Sequence, residues 1–253
     1  MLPNAIQIAL KIISNYFWSA LMTTNTRFNN QPAIKAMAAL MLMQMLLGLL
    51  LNFYFLKPIL SFDGSTTTDE LNTILGGATI VALVISALNI VFGLLLPKAV
   101  TEFYSRTFTM LLAIATVGIT LCAYEYAQLA EYVTFLTTYY QENSTLEVTK
   151  KLLASGRNEA HFLSIFISSL SLSIFYLLVL RAQLINQWLA YFALTATLLQ
   201  LVAVGHTLFQ AAIPNLLQLP LFICQLIVPI YLLVYGVKQS AEQDPQQQAA
   251  LNQ

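Results

Sequence analysis

"ILGGATIVALVISALNIVFGLLL" occupies residues 74–96 and carries no charged side chain. Its polar members are Thr79, Ser86 and Asn89, all neutral. At about 1.5 Å per residue such a run covers roughly 35 Å as a helix, more than the roughly 30 Å of a bilayer's hydrocarbon. Pro97 closes it, and "TTDE" at residues 67–70 opens it. That tetrad has the form of a capping box, in which Thr67 caps and Glu70 follows three residues on.

The same pattern recurs along the chain. Apolar runs fill residues 36–56, 107–130 with an extension toward Phe135, 161–180, 184–205 and 216–237. With 74–96 they make six candidate spans, too long for barrel strands. Composition agrees. Of 253 residues 58% are apolar and 9% charged, against about a quarter charged in soluble domains. So few charges cannot cover a water-facing surface. Net charge is zero, so no polyanion is implied as a partner and nucleic acid is not expected. Cys122 and Cys224 lie in apolar runs with no CxxC spacing, so both read as buried thiols.

Outside the spans, residues 4–22 place Asn4, Gln7, Lys11, Ser14 and Asn15 on one helical stripe, opposite Ile6, Leu10, Ile13 and Phe17. That distribution predicts an amphipathic helix lying in the interface, a surface to which a membrane-protein partner would bind. No cleavable signal peptide is expected, since Lys11 interrupts the first apolar stretch. The loop at 137–160 predicts a short amphipathic helix, capped by Ser144 with Glu147 and ended by Gly156. The Gln-rich tail, 239–253, reads as polar and weakly structured. The expected class is all-α: a polytopic six-helix transmembrane bundle with an N-terminal interfacial amphipathic helix. Its parts are residues 1–32, 33–238 and 239–253.

Six spans put both termini on one side. That side carries seven basic residues, Lys11, Arg27, Lys35, Lys98, Arg106, Arg181 and Lys238. The other carries four, Lys57, Lys150, Lys151 and Arg157. Basic residues stay cytoplasmic, so both termini are expected there.

"LLGLLLNFYFLKPILSFDGSTTTDELNTIL" (46–75) resembles the first span and outer loop of the bacterial family called domain of unknown function 4386. The features shared are Tyr54 and Lys57, then Asp63, Thr66 to Thr68, and Asn72 to Leu75. "HFLSIFISSLSLSIFYLLVLRAQLINQWLAYFAL" (161–194) resembles the family's fourth span, with a His near its start. "LQLPLFICQLIVPIYLLVYGVK" (217–238) is similar to its closing span. The resemblance runs over about residues 35–238 and leaves the interfacial helix and the tail outside. It implies a six-span protein of the bacterial inner membrane. It implies no reaction.

Counting depth along each span brings Glu125, Glu131, His161, His206 and Gln225 to one outer half of the bundle. Gln128 shares a helical face with Glu125, and Ser164 and Ser168 lie below His161. A carboxyl inside a span is costly, on the order of 2–3 kcal/mol, and its expected partners are His161, His206 or Arg157. The expected site is an outward-facing polar pocket between spans three and six, built from Glu125, Gln128, His161, Ser164, Ser168, His206 and Gln225. It would take a small molecule or a proton. No catalytic residue, metal ligand or cofactor is assigned, because no HExxH, glycine-rich phosphate loop or nucleotide signature is present. Against this stands a plainer reading, in which the same groups form interhelical hydrogen bonds. Two further readings are an accessory subunit of a larger membrane complex and an intramembrane hydrolase using Ser164 or Ser168.

Overall fold

The computed structural model describes residues 28–29, 32–62, 67–139, 147–209, 211 and 214–238. The expected helix at 4–22, the Ser144 cap and the tail lie outside the described residues. Seven helices make up the described chain. They are α1 (Pro32–Leu60), α2 (Thr68–Leu94), α3 (Lys98–Phe103), α4 (Ser105–Tyr139), α5 (Glu147–Arg181), α6 (Gln187–Gly205) and α7 (Leu219–Tyr235). Five of them, α1, α2, α4, α5 and α6, are long and apolar enough to cross a membrane, and α7 is a shorter apolar helix. This is an all-α, multi-pass membrane protein.

Each boundary has a local cause. Thr67 is extended (ψ 155°) and its Oγ1 accepts the Glu70 amide at 3.3 Å, so the capping box forms. Past α2, the Pro97 carbonyl accepts the Val100 and Thr101 amides and starts the short α3. Asn186 caps α6 by accepting the Trp188 amide at 2.9 Å. Gly236 ends α7 with φ 71° and ψ −152°, a backbone region that only glycine enters without strain. Within α1, the Asn52 amide side chain donates to the Gly48 carbonyl at 3.0 Å. That carbonyl is the acceptor which the Asn52 backbone N–H would use in an α-helix, and the ladder widens to a π-helix over Leu51–Leu56.

Helix α5 departs from expectation. The separate loop helix ending at Gly156 is absent; Glu147–Arg181 is one continuous helix, about 52 Å long by helical rise. Gly156 does not break it, because its backbone stays helical. It serves close approach instead: a Cβ there would sit 3.4 Å from Gln128 Oε1 on α4. Helix α4 likewise runs past residue 130 to Tyr139. Both helices outlast the hydrocarbon by roughly 20 Å.

A small β pairing was not anticipated. Strand β1 (Phe28–Asn29) pairs antiparallel with β2 (Val237–Lys238), tying the start of α1 to the end of α7. Two apolar cores follow. The near core, beside this pairing, joins Ile34, Met37 and Met41 of α1 to Phe92, Tyr176, Leu189, Val228 and Leu232. The far core joins Leu56 and Ile59 to Leu71, Ala78, Leu129 and Val133. No described residue of α6 or α7 belongs to it. Ile80, Val202 and Val234 are each more than half exposed on the outside of the bundle, where lipid would cover them.

Candidate functional site

Helices α4 and α5 pack along most of their lengths. Gly118 helps: a Cβ there would meet Ser168 Oγ at 3.5 Å. On α4, Cys122, Glu125, Tyr126 and Leu129 follow one another at offsets of three, four and seven, and all are buried. On α5, His161, Ser164 and Ser168 make the facing stripe. Glu125 Oε1 and His161 Nδ1 are 2.6 Å apart, and Glu125 is only 5% exposed. That distance is a hydrogen bond between the two side chains. His161 is thus the partner that satisfies the carboxyl.

The pair faces a cavity of about 620 Å³. Ser164, Ser168 and Gln225 line it as well, together with Cys122 and Tyr126. Pro229 has no N–H, so the Gln225 carbonyl loses its helical donor four residues on. The cavity therefore gathers Glu125, His161, Ser164, Ser168 and Gln225 on one wall system.

Two expected members do not join it. Gln128 lies about one turn closer to the Tyr139 end of α4, against Gly156. His206 sits at the end of α6, where its Nδ1 lies 2.7 Å from the Val202 carbonyl. Neither lines the cavity. Arg157, the third partner considered for Glu125, is buried within α5, where its Nη1 donates to Asn158 Oδ1 at 3.1 Å.

Other wall residues come from α1 and α2, beyond the expected boundary of spans three to six, and from α6 within it. Gln44 and Asn52 enter from α1, Ser86 and Asn89 from α2, and Gln200 from α6. Gln44 Nε2 donates to the Ile85 carbonyl at 2.9 Å and to Asn89 Oδ1 at 3.1 Å. Ser86 Oγ is buried with no partner among the described residues. A signal for the α1 wall was present: Gln44, Gly48 and Asn52 are spaced four apart, on one face of an otherwise apolar helix.

The arrangement offers a hydrogen-bonded Glu–His pair, several neutral amides and hydroxyls, and an apolar floor. Among the described residues no group of three His, Cys, Asp or Glu side chains could hold a metal ion. No hydrogen bond links Ser164 or Ser168 to His161 among the described residues, so the geometry of an activated serine is not present there.

The family profile described as domain of unknown function (DUF4386) matches residues 5–236. The chain belongs to the DUF4386 family. Membership reaches farther than the motifs suggested, because the match takes in residues 5–34. The N-terminal segment of this DUF4386 protein is therefore part of the family's shared region and no addition to it. No curated protein and no solved structure matches the chain.

Proposed function

We propose that this DUF4386 protein binds a small ligand, or holds a proton, in the cavity beside Glu125 and His161. The observation that carries the reading is the buried Glu125, hydrogen-bonded to the half-buried His161, beside a cavity whose wall mixes polar and apolar residues. Interhelical packing alone calls for direct bonds between helices, as Gln44 makes with Asn89. It gives no reason to leave about 620 Å³ open beside an ionisable pair. An accessory-subunit role loses its main argument now that residues 5–34 fall within the family match.

The membrane topology we infer is six spans with both termini cytoplasmic, in a bacterial inner membrane. The β1–β2 pairing supports an even number of crossings, since it joins the start of α1 to the end of α7. The excess of basic residues at that end supports a cytoplasmic placement. The Glu125–His161 side of the cavity would then lie toward the outer side of the membrane.

Native mass spectrometry of the protein released from lipid nanodiscs tests the binding reading. Wild type should carry a small molecule or ordered lipid that Glu125→Gln and His161→Ala lose. Unchanged occupancy in both folded variants would sink it.

A further inference from the structure

We infer that the cavity is filled sideways from the bilayer, through the seam between α1 and α7. Its occupant is an amphiphile with an apolar chain and an uncharged head bearing a hydroxyl or carbonyl oxygen. This deepens the binding reading above and depends on it.

The path follows from burial. The wall residues contributed by α2, α4, α5 and α6 are buried or half-buried. The exposed ones are Leu49 and Asn52 of α1 and Leu219 and Phe222 of α7. The opening among the described residues therefore lies between those two helices. The core pattern explains why it is open. In the near half, α1 and α7 share a core through Met37, Met41, Val228 and Leu232. In the far half, Leu56 and Ile59 of α1 belong to a core built with α2 and α4 that takes in no described residue of α7. Gly48 stands on the same α1 face as Gln44 and Asn52, and a Cβ there would meet nothing within 4 Å. Leu49, Leu219 and Phe222 form an apolar rim. Gly48 lies about 24 Å along α1 from Pro32 by helical rise, so the rim meets lipid chains within the bilayer. A water-borne solute would have to enter through that lipid.

The head chemistry follows from the walls. The two ionisable groups, Glu125 and His161, are paired with each other. The other polar groups are neutral amides and hydroxyls, and the buried Ser86 Oγ has no partner among the described residues. A charged head would go uncompensated there, at heavy desolvation cost, whereas a hydroxyl or carbonyl oxygen finds donors and acceptors.

The test uses the full chain in phosphatidylcholine nanodiscs and two photoreactive alcohols. One carries its diazirine on a long alkyl chain and stays in the bilayer. The other is a short-chain diazirine alcohol that stays in water. The long-chain probe should label peptides containing Met45, Leu49 and Phe222 several-fold above the remaining lipid-facing surface. Gly48→Trp, which plugs the seam, should reduce that labelling several-fold without changing the melting temperature. Ala113→Trp, on an exposed face elsewhere, should leave it unchanged. If only the short-chain probe labels the cavity, or Gly48→Trp has no effect, lateral entry is overturned while the binding reading stands. If neither probe labels the cavity, both readings fall.

Discussion

Removing either half of the Glu125–His161 pair leaves the other in a place built for two. With His161→Ala the carboxyl stays buried without its partner, and stability should fall by about 3 kcal/mol. Glu125→Gln keeps an acceptor for the imidazole N–H and should cost about 1 kcal/mol. The double variant should cost less than the sum, because the second change removes the orphan left by the first. Thermal unfolding of the four proteins in one detergent checks all three statements; strict additivity would show that the pair does not act as a unit. Depth counted along the spans put His161 among three candidate partners, with His206 and Arg157, and the structure pairs it with Glu125. His206 stays apart, although the same counting placed it nearby. Its Nδ1 lies 2.7 Å from the Val202 carbonyl one turn back, a local contact that depth alone cannot foresee.

Among the elements, helix starts and stops carry separable energies. Thr67→Ala should destabilise α2 by about 1 kcal/mol through loss of the cap. Gly236→Ala forces an L side chain to φ 71°, ψ −152°, at a cost of about 1–3 kcal/mol. Replacing Thr67 by Ser should restore most of the loss, whereas no L residue should rescue Gly236; urea or thermal melts in micelles distinguish the cases. The capping box and the Pro97 stop were visible in the sequence because both act within four residues. The length of α5 was not. Gly156 has the same sequence signature whether it ends a helix or lets another helix approach, and the neighbouring α4 decides. The π turn in α1 is local by contrast: Asn52 donates to the Gly48 carbonyl four residues back.

At the scale of the whole molecule, topology and cavity are the open questions for experiment. With both ends cytoplasmic, a cysteine placed at the exposed Lys151 should react with an impermeant maleimide in intact cells. One placed at the exposed Lys98 should react only after permeabilisation. The native Cys122 and Cys224 are buried and give a low background. Equal labelling at both sites before permeabilisation would refute six spans. Apolar runs of about twenty residues, few charges and the order of the family motifs determined class, location and family from the sequence by itself. These are properties of single segments meeting lipid, so no knowledge of neighbours is needed. Only the tertiary structure decided which polar residues meet. Gln44, Asn52 and Ser86 join Glu125 and His161 because α1, α2, α4 and α5 converge on one cavity. Which helices converge depends on side-chain packing across the bundle, and no single span records that.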